Sequence, residues 1–125
     1  MQFERRNIDK RDQEKPRIWR AAIYLCEPDA RNGVSEPSIS RQRALCRREA
    51  KRQAVKVLGE FVETRKYGPL RPRLYQALEL AWEQRLDYLI VWSVDLLADL
   101  DEDAFEVAWH LGQAGTIPLP VYEDD

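Results

Sequence analysis

A chain of 125 residues, 44% hydrophobic and 34% charged, is long enough for one domain with a packed core and needs neither disulfides nor a structural metal to hold it. No apolar run approaches the ~18 residues of a membrane span, and the charged start, with Glu4, Arg5, Arg6, Asp9, Lys10, Arg11, Asp12, Glu14 and Lys15, is no signal peptide. Cys26 and Cys46 are too few and too far apart for a disulfide framework or a zinc site, so a reduced, cytoplasmic setting is expected, with no metal, no cofactor and no membrane contact.

Residues 1–17 are polar and aperiodic and read as a charged mobile leader, with a single domain over 18–125. Arg20 to Cys26 is a short apolar run suited to a strand buried on both faces. Glu27 to Pro37 has loop chemistry. Ser38 or Ser40 then opens a helix to about Gln53, with Ile39, Gln42, Leu45, Cys46 and Ala50 on one side. It is also rich in basic residues: Arg41, Arg43, Arg47, Arg48, Lys51 and Arg52. They belong to a lopsided charge distribution, 15 Lys and Arg against 9 Asp and Glu in residues 1–60, and 5 against 13 beyond. We read the helix as a solvated face rather than a nucleic-acid surface.

A second strand runs from Val55 to Glu63, with Val55, Val57 and Phe61 as its alternating apolar positions. Thr64 to Leu70 is a loop. Pro72 suits the first turn of a helix reaching Arg85, whose apolar stripe is Leu74, Ala77, Leu78, Ala81 and Trp82. Asp87 to Ser93 is the most continuous apolar run and predicts the central strand. Asp101, Glu102 and Asp103 place negative charge at the start of a last helix, which carries Phe105, Ala108 and Leu111 and stops at Gly115. Thr116 to Tyr122 contains Pro118 and Pro120, so this strand lies at a sheet edge or is irregular. Most of the four tryptophans should be core, with Trp82 and Trp109 as partner anchors if exposed. The alternation of strands and helices predicts an α/β fold: a mainly parallel sheet of four to five strands with helices on both faces.

Three segments carry chemistry. They are Tyr24-Leu25-Cys26-Glu27-Pro28, Ser38-Ile39-Ser40-Arg41-Gln42-Arg43, and the run from Leu89 through Trp92, Ser93, Asp95, Leu96 and Leu97 to Asp99. Together they resemble the catalytic domain of the serine recombinases, the resolvases and DNA invertases, over about Arg20 to Tyr122. The resemblance implies a three-layer resolvase-like domain. In that family the first strand ends in Y-x-R-x-S, whose serine attacks a DNA phosphodiester, and arginines stabilise the charge that gathers on the phosphate. No metal is needed.

Carried over residue by residue, Tyr24, Gln42, Glu63, Gly68, Arg71, Pro72 and Asp95 match the family pattern. Pro28 stands at the serine, Cys26 at the first arginine, and Leu96 and Asp99 at the two arginines after the late aspartate, while Tyr67 replaces a loop serine. Proline offers no hydroxyl, and aspartate reverses the charge a phosphate needs. The expectation is a catalytically degenerate domain with no catalytic residues and a vestigial pocket of Tyr24, Cys26, Pro28, Gln42, Glu63, Arg71, Asp95, Leu96 and Asp99. The chain stops at Asp125, so the family's long helix and DNA-binding domain are expected to be missing. A protein partner, either a second copy or an intact recombinase, is expected, and DNA contact is weak if made.

Sharper readings yield to plainer ones. Ser35, Ser38 and Ser40 are caps and loop groups rather than displaced nucleophiles. Cys26 is a small buried hydrophobe rather than a thiol nucleophile, and His110 is a surface or packing residue. Arg71 and Asp95 could form a surviving ion pair, but capping of a helix and a strand end is preferred. Two other functions stand as alternatives: a site-specific recombinase or strand-cleaving domain with rearranged residues, and a nucleotide-binding α/β domain. The latter lacks a glycine-rich loop after the first strand.

Overall fold

A computed structural model of the chain describes residues 17–28, 36–64, 71–97 and 101–121, without the side chains of 101–104; residues 1–16 of the expected leader lie outside it. Four strands, β1 (Arg20–Cys26), β2 (Lys56–Glu63), β3 (Tyr88–Val91) and β4 (Ile117–Pro120), form one parallel sheet in the order β2-β1-β3-β4. Parallel neighbours need crossovers, which α1 (Ile39–Arg52), α2 (Pro72–Gln84) and α3 (Asp101–Ala114) supply. The fold is therefore three-layered α/β, with four strands among the described residues.

β1 is internal to the sheet and covered on both sides, which is why its sequence is an unbroken apolar run. Ala21, Ile23 and Leu25 pack with Leu45, Cys46 and Ala50 of α1. Ala22, Tyr24 and Cys26 pack with Leu74, Ala77, Leu78 and Ala81 of α2 and with Val107, Leu111 and Ala114 of α3. Alternation along one strand thus feeds two separate cores.

The helix ends follow from local chemistry. Ser38, not Ser40, caps α1: its Oγ accepts from the Arg41 N–H at 3.1 Å, and Lys51 and Arg52 in the last turn suit the dipole. α2 starts at Pro72 and ends on Arg85 in the left-handed region, φ 51°. α3 ends before Gly115, whose φ of 73° only glycine adopts at no steric cost.

β2 departs from the expected alternation. Ala21 pairs with Val57 but Ala22 pairs with Gly59, so Leu58 is an extra residue in a β-bulge. Val57 faces α1, whereas Phe61, expected on the same side, packs on the α2 side. The bulge reverses the strand's parity, so Glu60 falls on the α1 face and Glu63 beside Tyr24 on the other.

β3 is shorter than expected. The Asp87 N–H donates to the Arg20 carbonyl at 2.8 Å, the Asp87 carboxylate accepts from the Arg20 N–H at 2.8 Å, and Arg17 pairs with that carboxylate. After Val91 the chain leaves the sheet for a 3₁₀ turn, Val94–Leu97, which the apolar pattern does not announce. β4 is an edge strand, as its prolines require. The N–H groups of Ile117 and Val121 donate to Asp87 and Val91 carbonyls at 2.9 Å, so Pro118 and Pro120 occupy the outward positions where no donor is wanted.

Two apolar stripes are corrected. On α3 the buried positions are Val107, Leu111 and Ala114, while Phe105 and Ala108 are exposed. The tryptophans are not core: Trp19, Trp82 and Trp109 are exposed and Trp92 is half-buried, because the interior is already filled by small and aliphatic side chains around Tyr24. Trp19 instead stacks on Tyr88, with centroids 5.7 Å apart.

Candidate functional site

In parallel α/β sheets the crevice lies beyond the carboxyl ends of the strands, here Cys26, Glu63 and Val91. The structure brings Tyr24, Cys26, Gln42, Glu63, Arg71 and Leu96 to that end and buries each of them. Pro28 is half-buried just past β1, and Asp95 is exposed. Asp99, Tyr67, Gly68 and Ser35 lie outside the described residues.

Glu63 is the hub on the α2 side. Its Oε1 accepts from the Tyr24 hydroxyl at 3.2 Å and from the Leu74 N–H at 3.0 Å, and its Oε2 from the Arg73 N–H at 3.3 Å. Those two amides belong to the first turn of α2, where four donors lack intrahelical partners. Arg71, at the cap position, provides no side-chain cap. A carboxylate from a neighbouring strand therefore does the capping, and its charge suits the helix N-terminus. Tyr24 is held neutral: burial raises its hydroxyl pKa most, Cys26 and Glu63 add to the rise, and Arg71 opposes it.

Gln42 works from α1. Its Oε1 accepts from the Cys26 N–H at 3.1 Å, and its Nε2 donates to the Cys26 carbonyl at 2.8 Å and the Pro37 carbonyl at 3.0 Å. The amide thus pairs with both backbone groups of one residue as a neighbouring strand would, fixing where β1 ends and, through Pro37, where α1 begins. The Glu27 N–H donates to the Glu63 carbonyl at 2.9 Å and closes the β1–β2 end.

Arg71 donates through Nη1 to the carbonyl of Leu96. Nη1 thus holds a backbone group of the 3₁₀ turn, and Asp95 lies exposed with its N–H on Ser93 Oγ at 3.2 Å. Leu96 and Leu97 put their side chains into the cluster that holds Tyr24, Cys26 and Leu74. Ser93 is a residue that sequence reasoning missed: its Oγ and its carbonyl accept from the Asp95 and Leu96 amides and turn the chain off the strand. The signal was available, because serine is a common turn former through such side-chain bonds.

On the α1 face, Glu60 receives Arg43 Nε at 3.1 Å on Oε1, and Arg47 Nε at 2.5 Å on Oε2 with Nη2 at 3.0 Å on Oε1. The Arg47 bonds, foremost, hold the Glu60 carboxyl below its ordinary pKa. Arg52 pairs with Glu49 at 3.3 Å. Part of the basic helix is thereby neutralised within the fold. Cys26 and Cys46 are buried thiols outside any disulfide, and burial, then Glu60 and Glu49, pushes Cys46 up to about 12. His110 lies edge-on to Trp109, with Nε2 3.8 Å from Glu106. Among the described residues no group of three or more His, Cys, Asp or Glu side chains could hold a metal ion, and no helix is long and apolar enough to cross a membrane.

The family model for the resolvase N-terminal domain matches residues 30–117. None of the curated proteins matches the sequence. Among solved structures, the C-terminal catalytic domain of ISC1926 TnpA, an IS607-like serine recombinase, superposes with a TM-score of 0.66 at 17% identity, covering 85% of this chain and 71% of that one. The N-terminal catalytic domain of TP901-1 integrase gives 0.66 at 16% identity, with 81% and 76% covered. A resolvase family site-specific recombinase from Streptococcus pneumoniae gives 0.64 at 14% identity, with 82% and 72% covered. At such identities the structures speak for the shared fold, and the family match for membership.

Proposed function

Because the chain belongs to the resolvase N-terminal domain family, we propose that it is a catalytically silent member, a protein-interaction or accessory module tied to DNA recombination in the cytoplasm. The observation that carries this reading is the burial of Cys26 and Leu96 in one apolar cluster with Tyr24 and Leu74. Both stand where the family resemblance places phosphate-binding arginines. A phosphate oxygen there would meet a thiol and an isobutyl group, with no guanidinium to stabilise its charge. Pro28 at the nucleophile position has no hydroxyl, and Ser38 uses its Oγ to cap α1.

The groups that match the family pattern support the same reading. Tyr24, Gln42 and Glu63 spend their hydrogen bonds on each other and on backbone, so the pocket holds the fold together. Asp99 at a further arginine position adds negative charge to the same segment. DNA contact is weak in this reading, since Glu60 and Glu49 occupy Arg43, Arg47 and Arg52. The partner is a protein, a second copy or an intact recombinase.

The test is affinity capture of the tagged chain from nuclease-treated lysate of its native host, with the eluate also run on a denaturing gel for DNA-linked protein. A specific partner that survives nuclease is the expected result. A DNA adduct resistant to denaturant would overturn the silent reading in favour of a rearranged recombinase, and nuclease-sensitive proteins alone would overturn the module.

A further inference from the structure

The outer side of the α2–α3 layer carries aromatic side chains that the sheet does not use. α2 turns Leu74, Ala77, Leu78 and Ala81 inward, and helical spacing places Tyr75 and Trp82, seven residues apart, together on one flank. That flank faces α3, because Leu80 on the opposite one lies against β2, its Cδ2 3.5 Å from the Cβ position of Gly59. α3 buries Val107, Leu111 and Ala114, which leaves Phe105 and Trp109, at i and i+4, pointing outward. Phe105 is 76% exposed, Trp109 55% and Trp82 51%. The two stripes are joined at the seam: the Arg85 guanidinium lies 4.2 Å from the Trp82 ring centroid and donates to the Gln113 carbonyl, one turn past Trp109, at 3.4 Å.

Apart from Arg85, which lies against Trp82, the charged side chains that flank these rings on the two helices include three exposed glutamates. Glu79 and Glu83 are exposed on α2 and Glu106 on α3, in the half of the chain with 5 basic against 13 acidic residues. We propose that the α2–α3 seam docks an amphipathic helix of a protein partner that bears arginine beside its apolar anchors. This rests on the interaction-module reading above and names the surface and the chemistry of its partner. Trp82 already holds one guanidinium in cis, so the ring is placed to take another in trans. Arginine forks pair with Glu79, Glu83 and Glu106, and apolar anchors one turn apart cover Trp109 and Phe105, as in other helix-in-groove contacts.

A second copy fits less well. Pairing this face with itself sets the three glutamates against their own copies. The chain's basic helix α1 has the charge but no exposed large apolar side chain to meet the rings.

The experiment is fluorescence anisotropy of a labelled synthetic helix, with leucine on one face and arginine on the other, titrated with the intact chain. Saturable, salt-weakened binding is expected. It should fall roughly tenfold or more in W82A/W109A and in E79K/E83K, whose exposed sites leave the fold intact. An acidic counterpart peptide should not bind. Equal affinity for both peptides, or equal affinity of wild type and W82A/W109A, would overturn the surface, as would sedimentation showing a dimer that the double variant abolishes. If W82A/W109A still retains the nuclease-resistant partner, the module stands and this surface is wrong. If wild type retains none, the module reading fails and takes this proposal with it.

Discussion

The two faces of the sheet are built on different terms. Under α1 the packing is mostly aliphatic, with Ala21, Ile23 and Leu25 against Leu45, Cys46 and Ala50; the buried polar groups of the helix are Gln42 and Glu49, and the ion pairs of Glu60 stay at the rim. Under α2 the interior includes a phenol, a carboxylate and a guanidinium: Tyr24, Glu63 and Arg71. Burying such groups is costly unless every one is matched. A fold needing only stability could fill that side with hydrocarbon, as most of the α1 side is filled. On the polar side Glu63 holds the start of α2 and Arg71 the turn after β3, the structural role that the proposed silent site would leave to them.

Glu63→Ala tests that contrast most severely. It strips the acceptor from Tyr24 and from two amides of α2, and should cost about 3–4 kcal/mol in urea unfolding. Glu63→Gln keeps an acceptor and should cost about 1–2 kcal/mol. If alanine is as mild as a surface substitution, the polar face is ornamental and the contrast collapses. Gln42→Ala probes the single buried amide on the α1 side. It removes the bonds Gln42 makes to the Cys26 N–H and carbonyl and to the Pro37 carbonyl, for about 2–3 kcal/mol. A loss larger than that of Glu63→Ala would reverse the order of the two faces.

Tyr24→Phe should cost about 1 kcal/mol, since one hydrogen bond is lost and the ring remains. It also carries a pH signature. The folded-state value is raised above the ordinary 10.0, so the contribution is intact below pH 10.0 and is lost as pH rises beyond it. The variant should lack that part of the alkaline decline. Arg47→Ala, at the exposed rim, should have the smallest effect and one reduced by salt. The Glu60 value is depressed, so its contribution is present above the ordinary 4.5 and fades as pH falls through the folded value. A shallower acid-side slope in the variant, with Arg43 still on Glu60, read from midpoints at several pH values, sharpens the distinction between rim and interior.

Periodicity carried much of this architecture. The strand at Arg20–Cys26, the cap at Ser38, the proline at the head of α2, the glycine after α3 and the edge position of β4 all follow from short-range rules written in those residues. The failures have physical causes. Phe105 and Ala108 share the spacing of a buried stripe with Leu111, yet Val107 and Ala114 face the sheet, because a helix with apolar residues on two sides does not announce which is covered. The bulge at Leu58 is invisible to a period-two reading of β2. The site was legible as a set of positions through the resemblance, whereas the bonds that join them were not. Nothing in the sequence says that Arg71 reaches the Leu96 carbonyl or that Glu63 caps a helix across the sheet, although an uncapped Pro72 start did call for some acceptor.

That one extra residue in β2 works as an indexing notch. An edge strand whose side chains are mostly half-buried gives hydrophobicity little leverage over its alignment. With Leu58 as the extra residue, packed against the α2-side core, sliding β2 by one position along β1 would lift Glu63 away from Tyr24 and Glu60 away from Arg43 and Arg47 at the same time. The notch therefore ties the seating of α2, and with it half of the proposed docking seam, to the alignment of one edge of the sheet.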